Sequence, residues 1–206
     1  MAWDHTTFLI QVALNHLGAT PLLRTDGIDG PRTQSAKALQ FQELNRSAAS
    51  RFKNFKHFTS NKGGAIHPIG VVFHHTAGSF VGSLEWCKDP EAKVSYHVII
   101  EKDGSRHQLV PFNRRAWANG KSSFNGRTGC NGFMISIAFS ESTYDRELTT
   151  LEIESAKELI EQLKKSINLK FENITDHRTI SPGRKNDLNP IEFKRLQNAL
   201  EPIFKL

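Results

Sequence analysis

The stretch Ile69-Gly70-Val71-Val72-Phe73-His74-His75-Thr76 decides how this chain is read. Its apolar run is too short for a core helix and has the β-branched, aromatic character of a strand buried on both faces. It then stops abruptly at two imidazoles and a hydroxyl, so the strand carries polar side chains to its own end, where sites are built. Elements of both kinds follow. Tyr96 to Glu101, Asp103-Gly104 and Ser105 to Val110 spell a hairpin, and Met134 to Phe139 a further apolar strand. Thr149-x-x-Glu152 is a capping box opening a helix with Ile153, Ala156, Ile160, Leu163 and Ile167 in periodic array, and a last helix runs from about Pro190 through Phe193, Leu196, Leu200 and Ile203. Strands interleaved with helices predict an α/β domain over residues 67–206, a mixed central sheet flanked by helices.

Upstream the pattern changes. Phe8, Leu9, Val12, Ala13 and Leu17 predict a short amphipathic helix over 7–17 that Gly18 ends. Asp26-Gly27-Ile28-Asp29-Gly30-Pro31 is a tight turn, and Thr33 is the expected cap of a second helix through Ala36, Ala38, Leu39 and Phe41. Residues 1–45 therefore read as a small all-helical module. Residues 46–66 hold no sustained period, contain Gly63-Gly64 and carry Arg46, Arg51, Lys53, Lys56 and Lys62, so they are expected to be a basic linker; Phe52, Phe55 and Phe58, three apart, could instead dock a short helical turn.

The 206 residues allow one ordinary domain of about 150 residues and a small addition. Lys and Arg number 27 against 21 Asp and Glu, a net +6 that suits an anionic partner: nucleic acid, a membrane surface or an acidic cell wall. Only Arg24, Arg32 and Lys37 are available to the N-terminal helices for phosphate contacts, too few for a nucleic-acid reading. Two cysteines, Cys87 and Cys130, exclude a disulfide framework and every Cys-rich zinc module, and leave open whether they pair. The run Phe8 to Leu17 is interrupted by Gln11, Asn15 and His16 and has no basic leader, and no segment approaches a membrane span. The expectation is a chain made in the cytoplasm without a signal peptide and not inserted in a membrane.

His5, His16, His57, His67 and His107 read as surface imidazoles. His74 ends a strand, and His177 is followed after eight and ten residues by Lys185 and Asp187. Two imidazoles and a carboxylate are a donor set that suits zinc with a fourth position free for water. No H-E-x-x-H is present, so such a site would be assembled from a strand end and a distant loop. Spacing alone leaves Lys185 as a surface lysine and Tyr96 as a core tyrosine just as readily.

Taken together, Val71-Val72-Phe73-His74-His75-Thr76-Ala77-Gly78, Ser95-Tyr96-His97-Val98-Ile99-Ile100 with Asp103-Gly104, Arg115-Ala116-Trp117, and His177 with Pro182-Gly183-Arg184-Lys185-Asn186-Asp187 resemble the zinc-dependent N-acetylmuramoyl-L-alanine amidases, in order and across roughly residues 67–200. The family includes phage lysins, wall-recycling amidases and peptidoglycan recognition proteins. The resemblance implies zinc held by His74, His177 and Asp187, with Tyr96 and Lys185 as catalytic side chains and Arg115, Trp117 and Asn119 toward substrate; His75, facing the other way, is left a structural or supporting role. The glutamate that recycling-type members have on the strand Ile135 to Ser140 is Ala138 here, and Tyr96 matches the lysin and recognition-protein subgroup. Leu14-x-x-Leu17-Gly18 with Asp26-Gly27-Ile28-Asp29-Gly30-Pro31 and Phe41-Gln42 resembles the small peptidoglycan-binding helical domain. The implied protein is a monomeric peptidoglycan amidase, expected as a phage endolysin that reaches the wall in the periplasm through a holin. A secreted antibacterial effector, a cytosolic recycling amidase and a non-catalytic peptidoglycan-binding protein are the alternatives.

Overall fold

The computed structural model describes residues 51–205 throughout and, before them, residues 11, 23–26, 28 and 30–34. The chain divides into two compact units, Met1–Arg51 and Phe52–Leu206.

In the larger unit the apolar strands pair as their composition requires. Ten strands are present: β1 (Asn54–Lys56), β2 (Lys62–Ala65), β3 (Gly70–His75), β4 (Val98–Ile100), β5 (Arg106–Gln108), β6 (Arg114–Ala116), β7 (Ser123–Phe124), β8 (Arg127–Thr128), β9 (Met134–Phe139) and β10 (Ile174–Asp176). The main sheet has the order β1-β5-β4-β9-β3-β10. Its pairs are parallel except for the β4/β5 hairpin, in which Ile99 faces His107. The sheet is therefore mixed, and its centre, β3 and β9, is wholly apolar but for His74, His75 and Ser136, as expected of parallel strands covered on both faces.

Alternation assigns the two faces. Val71, Phe73, Ile135, Ile137, Phe139, Val98 and Ile100 pack against two helices, α2 (Thr150–Ile167) through Ile153, Ala156, Ile160 and Leu163, and α4 (Pro190–Leu200) through Phe193, Leu196 and Leu200. The α2 start is the expected capping box: Thr149 Oγ1 accepts from Glu152 N and Glu152 Oε2 accepts from Thr149 N. Val72, His74, Ser136, Ala138 and Ile99 point to the opposite face, over which lies α1 (Phe80–Lys88), capped by Ser79 and contributing Leu84 and Cys87. No helix of the described residues is long and apolar enough to cross a membrane.

Two expectations are corrected, the linker and the surface position of His107, and the open question of cysteine pairing is answered. Phe52 to Ile66 is not a linker. β1 extends the main sheet alongside β5, β2 pairs with β6, and Phe52 is buried, whereas Phe55 and Phe58 are exposed on extended backbone and make no helical turn. Gly104 has φ +81, and a Cβ there would lie 2.5 Å from the Phe52 ring, so the hairpin turn and the packing of Phe52 both need glycine. His107 is buried, its Nδ1 3.1 Å from His57 Nε2 and its ring stacked on Phe55. Both cysteines are buried free thiols, with burial pushing Cys87 up to about 11.

Of the N-terminal unit, the helices expected over 7–17 and from Thr33 to Phe41 lie for the most part outside the described residues. Residues 31–34 are helical, so Thr33 sits inside the first turn and Pro31 begins it. Gln11 Nε2 donates to Asp26 Oδ1, the Ile28 carbonyl and Thr33 Oγ1 at 2.9–3.0 Å, bracing the Asp-Gly turn against the helix that follows.

Candidate active site

Strands β3 and β10 are parallel neighbours with Asp176 opposite Phe73, so their carboxyl ends reach the same edge of the sheet. That edge is where open α/β sheets place their ligands. His74 stands near the end of β3, and His177 opens the one-turn helix α3 (His177–Ile180), which Asp176 caps by accepting from Thr179 N at 2.8 Å. Asp187 arrives from the loop after α3. Its carbonyl accepts from Arg178 N at 2.7 Å, and the turn before it is closed by Arg184 N and Lys185 N both donating to the Ser181 carbonyl.

The three side chains meet. His74 Nδ1 and His177 Nδ1 each lie 3.1 Å from Asp187 Oδ2, and all three residues are buried. Burial lowers the His74 pKa to about 4 against the opposing hydrogen bond to Asp187, so this imidazole is neutral at physiological pH. Burial disfavours ionisation of Asp187, but its contacts with His177 and His74 outweigh it and hold the carboxyl well below its ordinary range. His177 Nε2 is 3.1 Å from the Asn119 carbonyl, which can only accept, so that nitrogen carries a proton, and a ring with a single proton leaves its Nδ1 bare. A bare nitrogen then opposes a carboxylate oxygen. A divalent cation among these atoms turns that repulsion into attraction, and two imidazoles with one carboxylate are the donors zinc prefers. The residues present fit the metal.

Tyr96 is beside the cluster, its ring 5.3 Å from that of His74. Burial, with the Asp187 charge, raises its phenol above the usual value, so it is a proton donor at neutral pH. Lys185 is exposed on the loop that carries Asp187. His75 points to the helix-covered face, where its Nδ1 meets Thr143 Oγ1 at 2.7 Å. Ala138, in register with His74, is fully buried among Ile99, Leu109 and Val110.

Of the three residues expected toward substrate, Asn119 meets the cluster through its main-chain carbonyl, and no lining joins it to Arg115 and Trp117. Arg115 is exposed on β6, and Trp117 is partly buried just after it, its N–H donating to Ser95 Oγ at 3.0 Å. Asn119 is fully buried, which removes it from any surface a substrate can touch. The groove beside Tyr96 is instead a cavity of about 410 Å³ lined by Thr76, Ala77, Gly78, Trp86, Val94 and Tyr96. Trp86, 60% exposed on α1, is absent from the sequence reading, as is α1 itself. Ser79 followed by Leu84 and Cys87 is the only signal, and it is a faint one.

Residues 64–190 match the family model described as N-acetylmuramoyl-L-alanine amidase. The 1,6-anhydro-N-acetylmuramyl-L-alanine amidase AmpD of Salmonella typhimurium is 37% identical over 136 residues, which are 61% of this chain and 72% of that protein. An AmpD crystal structure superposes with a TM-score of 0.63 at 24% identity, covering 70% of this chain and 94% of that one. A mutant endolysin from Bacillus subtilis shares the fold, with a TM-score of 0.58 at 20% identity over 72% of this chain and 99% of its own.

Proposed function

The chain belongs to the N-acetylmuramoyl-L-alanine amidase family, and on that footing we propose that it is a zinc enzyme whose metal is held by His74, His177 and Asp187. It hydrolyses the amide between the lactyl group of N-acetylmuramic acid and L-alanine in peptidoglycan. The observation that carries the metal assignment is the meeting of two imidazole Nδ1 atoms at one carboxylate oxygen. Zinc, when bound, polarises the amide carbonyl and brings the pKa of water to about 7.

The side chains do the rest. Tyr96 donates its phenolic proton toward the carbonyl oxygen as charge develops there, and Lys185, free to swing from its exposed loop, adds an ammonium to the same charge. His177 keeps its orientation through the Asn119 carbonyl. Ala138, in register with His74, offers no proton chemistry.

Two substrates suit this chemistry. A relative at 37% identity named for 1,6-anhydro-muramyl peptides supports soluble wall fragments, and hence recycling, as the first reading. The endolysin reading, with residues 1–45 as a wall-binding module and delivery to the periplasm by a holin, is supported by Tyr96 and Ala138, which depart from the recycling pattern. Purified 1,6-anhydro-muropeptide and intact sacculi, digested side by side and followed by mass spectrometry of released stem peptides, decide between them. A higher kcat/KM on the soluble fragment supports recycling. Release from sacculi alone would overturn it.

A further inference from the structure

The cavity of about 410 Å³ beside Tyr96 lies between α1 and the turn that leaves β3. Trp86 on its wall is the largest apolar side chain exposed among the described residues, although Leu84 and Cys87 on the same helix are buried. Two glycines keep the cavity open. A Cβ at Gly78 would meet nothing nearer than Ser83 Oγ at 3.9 Å, and its φ lies outside the left-handed region, so neither packing nor conformation requires glycine there. Gly82 lines the same space from inside α1, where glycine weakens a helix. The border is held in place: Gly82 N donates to Ser79 Oγ at 3.3 Å, and Thr76 Oγ1 and Ser83 Oγ both donate to the Gly78 carbonyl, at 3.0 and 3.3 Å. A preformed, concave, largely apolar space of this size is what small ligands occupy.

Charge separates the two sides of the site. None of the residues lining the cavity is charged, and Glu85 and Lys88 of α1 pair with each other at 2.9 Å outside the lining. On the other side, where His177 meets the Asn119 carbonyl, the loops 119–121 and 181–187 come together and carry Lys121, Arg184 and Lys185, all exposed. A substrate whose scissile amide lies at Tyr96 and the His74, His177 and Asp187 cluster has two unlike flanks. The stem peptide beyond L-alanine carries carboxylates, which in an uncharged cavity would lose hydration and gain no partner. The muramyl ring is uncharged once its lactyl group is in amide linkage. One face of a pyranose is made of C–H groups, which suit the electron-rich face of an indole.

We infer that this cavity is the subsite for the muramyl ring, that Trp86 is the platform on which the ring lies, and that the stem peptide leaves over the cationic loops. The ring comes from the amidase reading above, on which this rests; the cavity and the exposed indole do not depend on it. Trp86 is then a specificity-determining residue. It favours fragments that keep their sugar over peptides that have lost it, and it does so by binding, with no part in the proton chemistry of Tyr96.

The test compares two substrates with the same scissile bond, a muramyl tripeptide and the lactoyl tripeptide that lacks the ring. Wild-type enzyme should prefer the first in kcat/KM by about tenfold or more, and Trp86→Ala, at a largely exposed position, should shrink that preference by about tenfold, through KM and not kcat. Trp86→Phe keeps a flat apolar ring and should hold most of the preference. Gly78→Leu fills the cavity where there is room for a side chain, and should act like Trp86→Ala with the indole still present. A wild-type preference in both Trp86→Ala and Gly78→Leu would overturn the inference. So would an equal loss on the two substrates, which would put the peptide in the cavity. A second readout needs no activity: the metal-free wild-type chain is titrated with the methylamide of N-acetylmuramic acid, and the indole N–H resonance of Trp86, assigned with Trp86→Phe, should shift. A shift in a chain that cleaves neither substrate refutes the amidase reading and leaves the subsite standing, whereas an unmoved resonance in an active enzyme refutes the subsite alone.

Discussion

Replacing Tyr96 by Phe isolates a single proton. The ring packs against the cluster of Leu84, Cys87, Ile99, Leu109 and Ala138, and Phe keeps that packing, so the substitution removes one hydroxyl and costs about 1 kcal/mol of stability or less. In catalysis the loss is larger. A donor aimed at a developing oxyanion in a water-poor site is worth at least about 100-fold in turnover, which at about 1.4 kcal/mol per factor of ten is close to 3 kcal/mol. The bond strengthens in the transition state, so kcat should fall and KM stay nearly constant. Because burial raises the phenol pKa, Tyr96 stays protonated across the neutral range, and neither enzyme should show an inflection from it below about pH 10. Initial rates on a soluble muropeptide, with zinc content measured in parallel, provide the assay. Wild-type kcat in a zinc-loaded Tyr96→Phe enzyme would reduce the phenol to packing and turn attention to Lys185.

Asp187→Ala should lose stoichiometric zinc while the wild type retains it, as elemental analysis will show; equal content would remove Asp187 from the ligand set. Zinc at 100 times its Kd should stabilise the wild type by about 2.7 kcal/mol, roughly 5–10 °C in Tm, and chelator should reverse this. Deleting residues 1–45 should preserve hydrolysis of a soluble muropeptide and weaken binding to sacculi, whereas deleting 1–66, which strips β1, β2 and the buried Phe52 from the larger unit, should give insoluble protein; an active 67–206 fragment would count against the structural role of those strands. His97 donates Nε2–H to the Arg114 carbonyl, accepts at Nδ1 from Ser136 N and is lowered by burial to about 4. The unfolded chain therefore binds a proton that the native chain refuses, and stability should fall by up to about 3 kcal/mol as pH drops from about 6.5 to 4, with no further loss from this group below that. Urea midpoints that stay level over this window would refute it.

What the sequence showed and what it hid follow one physical line. Strands β3 and β9 and helices α2 and α4 are built by apolar burial, which leaves a periodic trace, and each is found where that trace places it. Segment 52–66 is built differently. Asn61 Nδ2 donates to the carbonyls of Cys87, Asp89 and Val94, and Thr59 Oγ1 to that of Cys87, so polar bonds to a distant helix end do the work of a core. Nothing in Ser-Asn-Lys-Gly-Gly announces this, and the composition of a linker conceals two strands. Asn119 misled in a related way. The resemblance placed it toward substrate, whereas it is fully buried and its main-chain carbonyl meets His177.

The choice between His74 and His75 shows how the core fixes the site. Side chains alternate along β3, and Val71 and Phe73 must face α2 and α4 for the larger apolar cluster to close, Phe73 stacking on Phe139 at 5.7 Å. That obliges His74 to point the other way, toward His177 and Asp187, and commits His75 to Thr143. A register slip of one residue would exchange the two imidazoles, and it would also turn Val71 and Phe73 out of the core, so the register is held by far more apolar area than any ligand could supply. The meeting of His74 with His177 and Asp187 is thus a consequence of packing on the opposite face of the same strand. Phe73→Ala should accordingly lower stability by about 3–5 kcal/mol, with the surviving folded fraction still holding His74 in place.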